Sequence, residues 1–180
     1  MTEAAKYSGV ERLGDGREIE IRALRPADEG DMLAAVDRTS AQSLYRRFFG
    51  PKRHFSESEK SFFLNADFVS HVALVAVAKE RSRSVIVGGG RYIVVRPGTA
   101  ELAFAVVDEY QGQGIGAALM RHLALLARDA GIKELIAEVL PENLPMLKVF
   151  QNSGLDLQTK HRAGVIDVTL NVTNDDTTGR

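Results

Sequence analysis

The spacing of apolar residues changes period several times along this chain, and each change predicts an element. Residues 18–22, Glu-Ile-Glu-Ile-Arg, alternate at period two as a half-buried strand does, and Arg25-Pro26 ends the pattern. Pro26 with the acidic Asp28 and Glu29 suits the first turn of a helix carrying Met32, Leu33 and Val36. A second helical stretch spans residues 43–49 and stops at Gly50-Pro51. A third opens at Ser56, where Glu59 completes a capping box ahead of Phe62, Phe63 and Leu64. Residues 72–78 are unbroken apolar sequence, which predicts a strand covered on both faces.

Residues 85–95 form the next strand pattern, interrupted by Gly88-Gly89-Gly90, the mark of a bulge or a close backbone contact. Arg96-Pro97-Gly98-Thr99 is a turn. Residues 101–107 alternate again, with Leu102, Phe104 and Val106 on one face and Glu101, Ala103, Ala105 and Val107 on the other. Then the period becomes helical: Ile115, Leu119, Leu123, Leu126 and Ala130 share a stripe that Gly131 closes. A strand at 135–140 ends at Pro141. Asn143 caps a short helix with Leu147 and Phe150 inward, closed by Gly154, and residues 155–158 and 165–171 read as a closing hairpin. Residues 1–16 are polar and glycine-containing and predict a frayed lead-in, and residues 174–180 a polar tail. One domain, residues 17–173, lies between them, with no internal repeat.

Composition narrows the function classes. Lys and Arg total 23 against 24 Asp and Glu, so no overall field points to nucleic acid or to an anionic membrane. The chain has no cysteine, which removes disulfides, thiolate metal sites and cysteine nucleophiles and makes a cytoplasmic protein the simplest expectation. The N-terminus lacks an apolar signal core, and no apolar run approaches membrane-spanning length. The histidines His54, His71, His122 and His161 show no metal-ligand spacing, so no metal is expected.

The run Gln111-Gly112-Gln113-Gly114-Ile115-Gly116 joins the strand at 101–107 to the long helix. A glycine-rich strand-to-helix turn exposes backbone N–H groups where the helix dipole favours negative charge, so it suits a pyrophosphate. The phosphate loop of nucleotide hydrolases needs Gly-x-x-x-x-Gly-Lys-Ser/Thr, and no such Lys follows here. The dinucleotide fingerprint fits Gly112, Gly114 and Ala117. Its context does not, because Asp108, Glu109 and Tyr110 separate strand from glycines. A loop that binds nothing is the bland reading. The third pattern, Gln/Arg-x-x-Gly-x-Gly/Ala at Gln111, Gly114 and Gly116, closely resembles the coenzyme A signature of the GNAT acetyltransferases.

That resemblance extends over residues 19–172. It implies a mixed α/β fold, the GNAT acyl-CoA N-acyltransferase fold, with splayed central strands. The runs Ile21-Arg22-Ala23-Leu24-Arg25-Pro26-Ala27-Asp28 and Ser43-Leu44-Tyr45-Arg46-Arg47-Phe48-Phe49 are similar to the opening of Pat-type protein lysine acetyltransferases. Val87-Gly88-Gly89-Gly90-Arg91-Tyr92, Val139-Leu140-Pro141-Glu142-Asn143 and Met146-Leu147 resemble later segments of the same group. Members of that group often carry a ligase-like or cyclic-nucleotide-binding module, for which this chain has no room. The implied activity is transfer of an acetyl group from acetyl-CoA, as co-substrate, to a protein lysine, an acyl-CoA ligase being the leading target.

The chemistry can be built from the residues. With the pyrophosphate on the amides of Gly112, Gln113, Gly114, Ile115, Gly116 and Ala117, the pantetheine arm needs an extended polar partner. Val106 and Val107 offer backbone groups if the next strand splays away, as the resemblance implies. A reach of roughly four to six residues at about 3.3 Å each brings the thioester near Ala103 and Phe104, within range of Glu101. A lysine with ordinary pKa near 10.4 must lose a proton before it attacks, and a cleft carboxylate can take it. The resemblance makes Glu101 that base; by composition alone it is equally a solvated strand-edge glutamate. Glu109 would be repelled by the pyrophosphate and reads as exposed. Asn143 is a helix cap that, by resemblance, also contacts the coenzyme arm.

Many relatives have a tyrosine general acid near Phe150, which cannot donate. Tyr110, Tyr92, solvent or no acid remain as alternatives. The cluster Arg46, Arg47, Lys52 and Arg53 reads as a solvated face, or as a contact for the coenzyme 3′-phosphate or an acidic protein. Two other function classes stay open: a small-molecule amine N-acetyltransferase, and a silent acyl-CoA sensor. Oligomeric state is not written in the sequence.

Overall fold

The computed structural model describes residues 2–50 and 52–173, so Pro51 and the tail expected at 174–180 lie outside the described residues. Eight strands form one sheet in the order β1-β2-β3-β4-β5-β6-β8-β7. β1 (Ser8–Arg12), β2 (Glu18–Ala23), β3 (His71–Glu80), β4 (Arg83–Arg96) and β5 (Thr99–Val106) pair antiparallel in succession. β5 and β6 (Glu134–Val139) are parallel, which requires the crossover that α4 (Ile115–Asp129) supplies. After α5 (Leu144–Gln151), β7 (Asp156–Arg162) and β8 (Val165–Asn171) form the expected hairpin, with β8 inserted beside β6.

The segment expected to be a frayed lead-in is instead a short 3-10 turn followed by β1. The sequence hides β1 because Val10, the one large apolar side chain of that strand, is exposed. The strand is held by backbone pairing to β2 and by His122 of α4. The imidazole lies against Gly9, its Nε2 is 2.7 Å from Glu11 Oε1, and the Tyr7 hydroxyl bonds its Nδ1.

Helices α1 (Glu29–Asp37), α2 (Ala41–Phe48) and α3 (Glu57–Leu64) cover one face. Ser56 and Glu59 make the capping box of α3, as their spacing predicts. Under these helices sits a small core of Leu24, Leu64, Ala73, Val75, Val77 and Ile86. The opposite face carries the main core, where Ile115, Leu119 and Leu123 of α4 pack on Leu74, Val87 and Phe104. β3 therefore serves both cores, which is why residues 72–78 are apolar without alternation.

The glycine run in β4 does two things. Ala76 pairs with Gly88 but Val77 with Ile86, so Val87 is the unmatched residue of a bulge. At Gly90 an added Cβ would come within 2.7 Å of Phe104 Cδ1 and 3.0 Å of Leu123 Cδ1, so only glycine lets these side chains cross the strand.

Candidate active site

Pairing between β5 and β6 covers three positions and ends at Glu101↔Ile136, while β5 continues to Val106 and β6 to Val139. Beyond that point the strands part, and a cleft of about 880 Å³ opens between β5, α4, α5 and α2. The Val107 N–H donates to Val87 O at 2.9 Å, with Gly88 opposite Val106. In an antiparallel ladder of that phase, Val106 and Phe104 aim their N–H and C=O groups away from β4, into the gap. Val107 therefore differs from expectation: both its backbone groups are engaged, its carbonyl accepting from Tyr110 N, and its side chain is buried. The open edge belongs to Phe104 and to the N–H of Val106. Side-chain alternation could not reveal this, because the phase of the ladder decides it.

A 3-10 turn at Asp108–Tyr110 leads into the glycine loop. Gly112 and Gly114 have φ of 74° and 95°, the left-handed region that a side chain strains to adopt. The first bond of α4 is Ala118 N–H to Gly114 O, 3.0 Å, so the amides of Ile115, Gly116 and Ala117 precede the helical ladder. These residues, with Gln111, Gly112 and Gly114, border the cleft. Gly116 has a second constraint: an added Cβ would lie 3.3 Å from Val149 of α5. Gln111 latches the strand end, donating from Nε2 to Val106 O (3.0 Å) and Ser43 Oγ (3.1 Å). Gln113 does not line the cleft. It donates to Glu109 O at 2.8 Å and accepts from Arg17.

An extended chain edge ending in a ring of free amides at a helix N-terminus is a site for a long ligand with a phosphate group. A family model for the acetyltransferase (GNAT) family matches residues 38–155. The chain belongs to that family. It is 34% identical over 127 residues to acetyltransferase PA5475 of Pseudomonas aeruginosa, across 70% of this chain and 68% of that protein. It is 33% identical to acetyltransferase Pat of Mycolicibacterium smegmatis over 142 residues, which is 73% of this chain but 40% of Pat. The crystal structure of the GNAT domain of S. lividans PAT superposes with a TM-score of 0.83 at 31% identity, covering 91% of this chain and 96% of that one.

For a GNAT acetyltransferase the co-substrate is acetyl-CoA, and the free amides and open β5 edge fit its pyrophosphate and pantetheine. Glu101 stands exposed at the last position of β5 paired with β6, on the cleft wall, with Ala103 and Ala105 beyond it on the same strand face. Asn143 also borders the cleft; its side-chain oxygen accepts from Met146 N at 3.4 Å as the cap of α5, leaving the amide group for a ligand. Glu109 is held by Arg38, outside the cleft lining.

Neither tyrosine considered as an acid is poised for it. Tyr92 is buried in the main core and pushed up to about 12 by that burial. Tyr110 borders the cleft, but its hydroxyl donates to Glu80 at 2.8 Å, and burial with that hydrogen bond raises its pKa. Phe150 is buried against Phe104. Sequence reasoning missed the brace behind the loop: Arg38 grips both oxygens of Glu80, which holds Tyr110, while Asp108 accepts from Ser40 N at the start of α2. Its parts lie in separate segments, so no local motif marks it. Among the described residues no group of three or more His, Asp or Glu is placed to hold a metal, and no helix is long and apolar enough to cross a membrane.

Proposed function

We propose that this enzyme moves the acetyl group of acetyl-CoA onto the side-chain amine of a lysine in a protein, with Glu101 as general base. The observation that carries the reading is the arrangement of one cleft wall. Free amides stand at one end, the open backbone of Phe104 and the Val106 N–H in the middle, and Glu101 at the other end. From Val106 to Glu101 is five residues, about 16 Å of strand, which suits a pantetheine arm laid along it. Acetyl-CoA supplies a thioester carbonyl for attack. Asn143 and the β5 backbone orient the arm, and Glu101 takes the amine proton directly or through a water.

A protein acceptor is supported by the Pat-type resemblance and by the rim of the cleft. Phe49 and Leu144 border it from opposite walls and are exposed, and Tyr45 is exposed one turn earlier on α2. An acyl-CoA ligase is the first protein to try as substrate.

Glu101→Gln tests the chemistry. It keeps the shape and removes the base, so kcat should fall by about 10² to 10⁴ with acetyl-CoA affinity nearly unchanged. The deficit should shrink as pH rises and more amine arrives neutral. A variant with wild-type kcat at neutral pH, under conditions where chemistry limits the rate, makes Glu101 structural.

A further inference from the structure

A second cavity of about 120 Å³ lies on the opposite side of β4 and β5 from α4, beneath α1, α2 and α3. Its walls are mostly apolar, Leu24, Met32, Val36 and Phe63 among them, yet two arginines, Arg47 and Arg91, also line it. It adjoins the coenzyme cleft: Arg47, Phe48, Ala103 and Ala105 border both spaces.

The two guanidinium groups lack the partner that such surroundings call for. Arg47 stacks on Phe48 with 4.6 Å to the ring centroid and makes no hydrogen bond or ion pair with a side chain among the described residues. Arg91 stacks on Phe63 at 4.7 Å, and its Nη1 is 3.1 Å from Phe63 O and 2.8 Å from His71 Nε2. Those partners fix its orientation and leave its charge uncompensated, because burial and the Arg91 charge push His71 down to about 4, so the imidazole is neutral. Burial also pushes Arg47 down to about 10 and Arg91 to about 9; Glu101 partly offsets the first, and the Arg47 charge adds to the second. Two half-buried cations in apolar surroundings without a contacting carboxylate are a costly arrangement. An anion between them replaces that cost with charge-assisted, forked hydrogen bonds in an apolar setting.

We propose that Arg47 and Arg91 form a carboxylate-binding subsite opening off the coenzyme cleft. A space of 120 Å³ holds about four water-sized groups, so it admits a short carboxylated arm rather than a whole amino acid. The arm has two sources. It is the end of an acyl donor that carries a carboxylate, such as a succinyl group, or an acidic group on the acceptor near its amine. In either case the reaction is the same acyl transfer: the N–C bond forms, the C–S bond breaks, the thiol of coenzyme A departs and the amine proton goes to the base. The carboxylate itself does not react. The inference rests on reading the large cleft as the coenzyme site.

Calorimetry separates the sources without needing the natural acceptor. One arm compares succinyl-CoA with butyryl-CoA, equal in chain length. The other compares 4-aminobutyrate with butylamine on protein saturated with coenzyme A. At least one carboxylated member should bind ten-fold or more tightly than its neutral counterpart, and Arg47→Met should abolish that preference. Arg47 has no hydrogen-bonded or ionic side-chain partner to lose, so this variant should remain folded, which circular dichroism checks; Arg91→Lys, keeping the charge but not the fork, should weaken the preference. If Arg47 and Arg91 only anchor the helices, Arg47→Met lowers the melting temperature and leaves the affinity ratios untouched, which overturns the proposal. Wild-type protein that binds acetyl-CoA but prefers neither carboxylated ligand overturns the subsite and leaves the acetyltransferase reading standing. Protein that binds no acyl-CoA overturns both.

Discussion

Ala117 is the third residue of α4, and it borders the cleft beside the amides that precede the helical ladder. A carboxylate there is welcome to the helix, whose N-terminus favours negative charge, and unwelcome to a pyrophosphate on the same amides. Ala117→Glu should therefore abolish measurable acetyl-CoA binding by calorimetry while thermal stability holds, and Ala117→Gln should lose much less. Tight binding by a folded Ala117→Glu variant would remove the glycine loop from the coenzyme site. This is a cleaner probe than substituting Gly116, whose added side chain would also press on Val149. His71 makes a prediction about stability. Its folded pKa of about 4 lies below the ordinary 6.5, so between these values the unfolded chain binds more protons than the folded one. Stability then falls as pH drops through that window, by roughly 3 kcal/mol at about 1.4 kcal/mol per unit. Asp67, held below its ordinary range chiefly by the Ser70 hydroxyl and by backbone amides, adds its own loss only at lower pH. In His71→Gln the side-chain oxygen can still accept from Arg91, so urea midpoints should lose the pH 6.5 to 4 component. An unchanged profile would mean that His71 does not titrate there.

At the scale of elements, the crossing of Phe104 and Leu123 over Gly90 joins β4, β5 and α4. Gly90→Ala overpacks that crossing and should cost about 1–3 kcal/mol in chemical unfolding. Gly89→Ala, whose nearest contact would be 3.5 Å, should be far milder. Equal costs would mean that the glycine run is there for strand geometry alone. The same elements explain what the sequence made legible. Period-two, helical and unbroken apolar patterns located β2 to β6 and α1 to α5, because each buries one face, or two in the case of β3 and β4, against its neighbours. β1 escaped because its support comes from β2 and from His122, more than a hundred positions along the chain, and not from apolar spacing. The glycine loop was legible because the positive φ of Gly112 and Gly114 favours glycine over other residues. Phe104 in place of Val107 was not, since the bulge at Val87 and the phase of the β4–β5 ladder decide which amides face the gap. The Arg47–Arg91 pair was hidden for a similar reason: one residue reads as part of a basic surface run and the other as a strand residue, and only the tertiary fold brings them to one cavity.

At the scale of the molecule, the parting of β5 and β6 gives the cleft two kinds of wall. The strand and loop side is built of backbone, which suits a coenzyme whose pyrophosphate and pantetheine groups are the same in every turnover. The α2 and α5 side is built of side chains, among them the exposed Phe49 and Leu144. A small acceptor needs an enclosure with several fixed polar groups to orient it, whereas a protein acceptor is oriented by its own surface and needs only room for one lysine. Exposed apolar residues on a cleft rim favour the second arrangement, since they gain by being covered. Docking energy drawn from that rim is available only to an intact partner. The specificity constant for a folded acyl-CoA ligase, or another folded target, should thus exceed that for a peptide carrying the same lysine by at least about tenfold, equivalent to 1.4 kcal/mol. Phe49→Ser with Leu144→Ser should shrink that ratio mainly by lowering the rate on the folded protein, with the peptide little affected. Equal constants for folded protein, peptide and free lysine would count against a protein acceptor. A strong preference for one small amine would assign the enzyme to small-molecule acetylation, with the rim left as ordinary surface.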